Sequence, residues 1–374
     1  MTRAPRSPAG GVLTKRQLNR ALLARQMLLE RQKVTPLAVI EQLVGMQAQV
    51  PRPPFGGLWT RLRRFEREDL LRLVREKKVV RATAMRGTIH LLTVADYLML
   101  RPALAAALVA GAKSVVGKRI PGVDVEILYS QGRMFFGKSP GPFEDFRTVL
   151  EREHPGLDIR ALAYMVRIGI PLVMMPADHI WGFPANAGFA LAEKWLGQKI
   201  PADSPPLDKI VLRYRAAFGP ATPADAQAWS GLRALREIFE RLRPELVTFR
   251  DERKRELFDL PDAPRPDEDT AAPVRFLPEY DNVLLAHADR TRIVSDADRK
   301  RLVTTNLIVI GSFLVDGFVA GSWKVAEKNK DVALTLTAFG KLARKHLAAL
   351  EAEGESMLEF YFPEAKSRAV IVAR

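Results

Sequence analysis

Apolar and polar positions along the first 110 residues fall into helical spacing and then into short alternating runs. Leu18, Ala21, Leu22, Leu28 and Leu29 make one side of a helix that the pattern carries from Thr14 to about Arg31, with Arg16, Arg20 and Arg25 toward the other side. Thr14-Lys15-Arg16-Gln17 is a capping box at its start. Thr35-Pro36 opens a second helix, threonine as cap and proline as first helical residue, with Leu37, Ile40 and Val44 spaced along it. Gly45 and the stretch Pro51 to Gly57, rich in Pro and Gly, should end that helix. Gln47 and Gln49 are therefore expected where it frays into a loop. Short helices are expected over Phe55–Phe65 and Glu68–Glu76, strands over Val79–Met85 and Arg86–Leu92, and a further helix capped at Thr93. Helices followed by a two-stranded ribbon are the grammar of a winged helix.

The same order recurs. Asp124–Phe136, Pro142–Arg152 and Ile159–Ile168 read as helices, the last capped by Asp158 and ended by Gly169; Pro171–Met175 reads as a strand, and a helix near Phe189–Leu196 leads into the linker Gln198–Pro206. The third copy is clearest. Thr222-Pro223-Ala224-Asp225 starts a helix, Ser230-Gly231 turns it, Leu232–Leu242 is the next helix, and Glu245–Arg250 and Arg255–Leu260 are strands around a charged tip. No fixed sequence period links the copies, so the repetition is architectural. After the linker Pro261–Pro273 the pattern becomes mostly strand: Arg275–Leu277, Asn306–Leu314, Phe318–Val325 and Val332–Thr337, then a helix Phe339–Glu353 and strands Met357–Phe362 and Ala369–Val372. The expected fold is α+β, with three tandem winged-helix units (12–110, 111–203 and 204–262) followed by a small C-terminal β-barrel (274–374). The polar segment Met1–Gly11 reads as a disordered tail rather than a signal peptide.

Composition narrows the chemistry. The chain has 374 residues, 47% of them hydrophobic, and no cysteine, so disulfides and thiolate metal sites are excluded. The five histidines lie far apart, which leaves no short-spaced metal pair. No apolar run approaches a membrane span; the longest, Ile168–Ala177 and Asn306–Ala320, are broken by Pro171 and Asp316. A cytoplasmic protein is expected. Net charge is +15, and residues 1–110 hold 20 Lys and Arg against 7 Asp and Glu, so almost all the excess lies beside the two glutamines. A basic field confined to one module is the footprint expected for a polyanion partner.

No G-x-S-x-G, P-loop or H-E-x-x-H motif is present. Five segments, taken in order, resemble the bacterial AlkZ-like family of DNA glycosylases: Leu43–Gln49 (LVGMQAQ), Phe55–Arg61 (FGGLWTR), Arg86–Thr93 (RGTIHLLT), Phe218–Gly231 (FGPATPADAQAWSG) and Phe276–Arg290 (FLPEYDNVLLAHADR). The resemblance implies winged-helix repeats, a C-terminal β-barrel, and hydrolysis of the N-glycosidic bond of bulky or crosslinked N7-alkyl purines in double-stranded DNA, with no metal or cofactor. It also implies a catalytic motif of glutamine, an aliphatic residue and glutamine, here Gln47, Ala48 and Gln49. A related branch, resembling YcaQ, carries aspartate at the second position; Gln49 favours the first branch. An amide oxygen can orient an attacking water although it is too weak a base to deprotonate it.

Around this motif the candidates for DNA phosphate contact are Arg52, Arg61, Arg63, Arg64, Arg81 and Arg86, with Arg290, Arg292, Lys328 and Lys330 from the C-terminal region. Trp59 and His90 are candidates for the lesion pocket; the same positions would equally serve as a core tryptophan and an outward strand residue. The resemblance further implies a hairpin that inserts into DNA. The absence of a long heptad helix favours a monomer. The alternative reading is a winged-helix transcription regulator that binds DNA without chemistry, which fold alone would favour.

Overall fold

The computed structural model describes residues 10–373. Of the segment expected as a tail, residues 1–9 lie outside the described residues, whereas Gly10 and Gly11 are bound: Gly10 N–H donates to Thr248 O (2.9 Å) and Gly11 O accepts from Arg250 N–H (3.0 Å). β1 (Val12–Leu13) follows, then α1 (Lys15–Arg25), opened by the capping box on Thr14 and Gln17. This helix stops short of Arg31, and Met27 takes φ 54° as the chain turns. α2 (Pro36–Gln42) starts as expected at Thr35 but ends before Val44 and Gly45, which adopt φ 53° and 89°. A side chain at Gly45 would meet Leu92 at 2.3 Å, so glycine is required by both space and backbone. The turn lets β2 (Met46–Gln47) begin, so Gln47 lies on a strand and not in a frayed loop, while Gln49 falls in the bend just beyond it.

α3 (Pro53–Trp59), α4 (Arg67–Arg75), β3 (Val79–Thr83), β4 (Ile89–Thr93) and the long α5 (Val94–Val116) complete the first region. The helix Val94–Arg119, counted with its last turn, is long and apolar enough to cross a membrane by length and composition alone, although its sequence holds no unbroken apolar run of that length. It carries a buried Asp96 and Arg101, and packs on the helix Ile159–Gly169. The second region holds α6 (Val125–Lys138), α7 (Phe143–Glu153), α8 (Ile159–Gly169), β5 (Leu172–Met174), β6 (Phe189–Leu191) and α9 (Ala192–Leu196). Phe189–Leu191 is thus strand where helix is expected from the pattern. These regions are not separate in their hydrogen bonding: a five-stranded sheet runs β2-β4-β3-β5-β6, with Ala82 of β3 paired to Val173 of β5 across the expected boundary at 110.

The third region is α10 (Leu207–Phe218), α11 (Pro223–Ser230), α12 (Leu235–Arg241), β7 (Val247–Asp251) and β8 (Glu256–Asp259). Its ribbon is joined by β1, which pairs parallel to β7, so the start of the chain completes the third sheet. Leu13, Leu18, Phe249 and Leu257 form a small separate core there. The C-terminal region holds β9 (Arg275–Leu277), α13 (Asp296–Arg301), β10 (Ser312–Val315), β11 (Phe318–Lys328), β12 (Asp331–Ala338), α14 (Arg344–Tyr361) and β13 (Ser367–Ala373). Its sheet order is β13-β12-β11-β10-β9, and no pairing closes it among the described residues, so an open sheet backed by α14 replaces the expected barrel. Of the segment Met357–Phe362, expected as strand, all but Phe362 is helical. Leu350, Gly354, Met357, Leu358 and Tyr361 are buried at helical spacing, and Gly354 lets the helix approach Leu334 and Val370.

Candidate active site

The segments singled out in the sequence converge on β2. Gln47 is paired with His90 of β4, antiparallel, and Ala48 N–H donates to Ile89 O (2.7 Å). Between β3 and β4 the chain turns through Met85–Gly87, where Arg86 adopts φ 57°. Its guanidinium donates from Nη2 to Gln47 Oε1 (3.0 Å) and from Nη1 to the Trp229 carbonyl at the end of α11. Gln49 Oε1 accepts from Ile89 N–H (2.8 Å). Because both donors are N–H groups, each amide has its oxygen turned inward, and neither Nε2 has a hydrogen-bond partner among the described residues. Gln47 is buried, at 8% exposed, whereas Gln49 is open to solvent.

The remaining segments brace this edge. Asn282 donates to Gly45 O (2.8 Å), holding the turn before β2. A side chain on Gly57 of α3 would meet Met46 Cε at 2.3 Å, which is how closely that helix backs the strand. His90 is buried; its Nδ1 lies 3.1 Å from Thr88 O, and since a carbonyl only accepts, Nδ1 carries the proton. Burial first, and then the Arg86 charge, push its pKa down to about 3, so the ring is neutral with its lone pair on Nε2. Burial and the nearby Arg290 charge lower Arg86 to about 10, which still leaves it cationic at neutral pH.

The hairpin tip lies between two cavities that share Tyr164. One, of about 450 Å³, is lined by Gln49, Ile89 and Arg81 on one side and by α7 and α8 on the other. The other, of about 280 Å³, is mostly apolar and lined by Arg86, Gly87 and the exposed side of α5. Among the described residues no group of three or more His, Asp or Glu is placed to hold a metal ion.

The predicted phosphate contacts separate into two sets. Arg61 is fully buried and clamps Asp281 with both Nη atoms at 2.8 Å, so it holds the fold. Arg81 is also buried and donates to the Ala48 and Gln49 carbonyls (both 2.9 Å), fixing the glutamine strand. Arg292 is buried and donates to Pro220 O (2.8 Å). Trp59 is buried and packs in the core on Phe360, with Arg31 over its ring at 4.5 Å. Arg52 is half-buried and paired with Glu279 (2.7 Å). Arg63 and Arg64 are exposed, the first paired with Glu30. Arg290 is half-buried close enough to Arg86 to affect its charge. Lys328 and Lys330 are exposed where β11 turns into β12. Sequence reasoning missed Arg160 and Arg167, which line the larger cavity; their signal is the i, i+3, i+4, i+7 spacing of Arg160, Ala163, Tyr164 and Arg167 on α8.

Helical regions strapped together by small shared sheets define a mixed α+β protein, in which the Gln47 amide is held by the hairpin-tip Arg86 and the Gln49 amide by the Ile89 N–H. The chain belongs to the AlkZ-like DNA glycosylase family: the family model described as DNA glycosylase AlkZ-like matches residues 40–360. Among solved structures it is similar to Streptomyces sahachiroi DNA glycosylase AlkZ, with a TM-score of 0.77 over 97% of this chain and 100% of that chain, at 20% sequence identity. That likeness is one of fold. No curated protein sequence matches the chain.

Proposed function

We propose that this protein is a monofunctional DNA glycosylase that hydrolyses the N-glycosidic bond of N7-alkylated purines in duplex DNA, and that crosslinked N7 adducts are among its substrates. It acts as a monomer and leaves an abasic site. The observation that carries this reading is the pair Gln47 and Gln49, two residues apart at the end of β2, with each amide oxygen fixed by an N–H donor.

N7 alkylation gives the purine a positive charge, so the base departs as a neutral molecule with the electrons of the C1′–N bond. A strong acid to protonate it is not required. The enzyme must place a water against C1′ and tolerate an oxocarbenium-like sugar. Each glutamine oxygen keeps a second lone pair for a water O–H, and each Nε2 offers donors to the water or to a deoxyribose oxygen. His90 adds a neutral acceptor next to Gln47. Positioning of this kind contributes about 7–11 kcal/mol at best, enough for an activated leaving group.

The test is release of free base from 7-methylguanine duplex under single-turnover conditions, with alkaline cleavage reporting the abasic product. Gln47→Ala and Gln49→Ala should each lower the rate by about 10²-fold or more. Wild-type rates in both variants would end the proposal.

A further inference from the structure

Guanidinium groups in this protein are mostly spoken for by acids or carbonyls. Two of those facing the cavity beside Gln49, Arg160 and Arg167, are exceptions. The cavity, about 450 Å³, is lined by Arg81, Arg147, Arg160 and Arg167, with Glu144 as the one acid. Glu144 pairs with Arg147 through Nη1, and Arg147 Nε is buried without a partner. The guanidinium groups of Arg160 and Arg167 make no hydrogen bond or ion pair among the described residues, although they sit two turns apart on the same face of α8. Arg167 has its ring neighbour Tyr164 at 5.4 Å and is disfavoured as a cation by burial and by Arg147. Like charges gathered over a cavity repel until an anion sits among them.

We infer that this cavity is an anion subsite that grips a phosphodiester of the DNA strand adjoining the damaged nucleotide, through Arg160, Arg167 and Arg147. The inference rests on the proposed glycosylase reading, because it takes Gln49 on the cavity wall to mark where C1′ lies. Charge chooses the occupant. An N7-alkylated base is itself cationic and is repelled by this lining, whereas the backbone phosphate is attracted to it. Arginine also suits the task by geometry, since its planar fork meets two phosphate oxygens at once. The subsite would hold the strand by its backbone while the wall carrying Gln49 faces the sugar. The two strand-edge carbonyls that Arg81 holds, those of Ala48 and Gln49, tie the wall to the same basic cluster.

The test is fluorescence anisotropy of the full chain on a duplex with a central tetrahydrofuran abasic analogue, titrated across a salt series. Removing one arginine–phosphate interaction should reduce the slope of log affinity against log salt by about 0.9. Arg160→Gln, at an exposed position, should lower the slope by about one, and Arg160→Gln with Arg167→Gln by about two. Arg152→Gln, exposed on α7 and paired with Glu153, is the control and should leave the slope as in wild type. Slopes unchanged in both cavity variants overturn the assignment, and so does equal loss from Arg152→Gln. If millimolar inorganic phosphate competes with DNA while the slope stays unchanged in the cavity variants, the cavity takes small anions and the DNA assignment is also wrong. Binding is read without excision, so failure of the glycosylase reading would show separately, as wild-type protein that binds the duplex but releases no base from 7-methylguanine DNA.

Discussion

Replacing Arg61 by methionine separates a role in the fold from a role on DNA. Arg61 lies at the end of α3, fully buried, and its guanidinium makes four hydrogen bonds: to Gln26 O (3.0 Å), Gly57 O (2.9 Å) and both oxygens of Asp281 (2.8 Å each). Methionine fills the stem's volume and supplies none of these donors. Asp281 would keep only the Val283 N–H at 3.2 Å, in a site where its side chain is 1% exposed. A buried charge left without its partner costs about 3–5 kcal/mol. Urea unfolding followed by circular dichroism should show the first transition moving to lower urea by that amount, with an unchanged slope. Adding Asp281→Asn keeps an acceptor for Val283 N–H and removes the stranded charge, so it should recover about half of the loss or more. On undamaged duplex the salt dependence of binding should stay at the wild-type value. A loss under about 1 kcal/mol, together with a salt slope smaller by about 0.9, would refute this reasoning and return Arg61 to the phosphate contacts.

Arg86→Met should lower 7-methylguanine excision roughly tenfold, because Gln47 loses the donor that orients its amide, and should cost about 1–3 kcal/mol for the two oxygens left without it; an unchanged excision rate would show that the lock is not needed. His90 and His287 are both held neutral by burial with pKa values of about 3, below the ordinary 6.5. The unfolded chain binds protons that the native state refuses, so the stability they contribute is complete above pH 6.5 and is lost as pH falls toward 3. The urea midpoint should therefore drop between about pH 7 and pH 5, less steeply in His90→Gln, and a midpoint that stays flat would contradict the buried neutral rings. Above about pH 5 the excision rate should show no ionisation assignable to His90.

Much of the local structure can be read from the residues, because its causes are local. Thr14, Thr35, Thr93, Asp158 and Thr222 are caps, and each starts the helix its side chain suggests. The strand at Gln47 cannot be read that way, because it exists only through pairing with Ile89 and His90, some forty residues along the chain. The basic first third is the more instructive case. Its excess charge suggests a surface for a polyanion, yet Arg16 and Arg20 bind Asp316, Arg25 binds Asp259, Arg31 binds Glu353, Arg52 binds Glu279 and Arg61 binds Asp281. The acids come from 259–353 in every case. Charge segregated along the sequence is here in part the two halves of internal seams, which composition alone cannot distinguish from an outward field.

Selectivity can rest on what the hairpin lacks. A glycosylase that excised unmodified purines would need a group able to protonate the departing base, and the hairpin around Gln47 offers none. Neither glutamine is hydrogen-bonded to a carboxylate, Arg86 at about 10 holds its proton at neutral pH, and burial keeps His90 neutral with its one ring proton on the Thr88 carbonyl. On the proposed reading, what the hairpin can do is hold a water and a sugar still. That contributes about 7–11 kcal/mol at best, against the total of roughly 8–23 kcal/mol by which enzymes lower barriers. The shortfall must come from the substrate, and an N7-alkyl group supplies it by making the base a cation before the enzyme arrives. Weak chemistry at a rigid site is then itself the discriminator: normal purines bound at the same place would be positioned equally well and would stay attached.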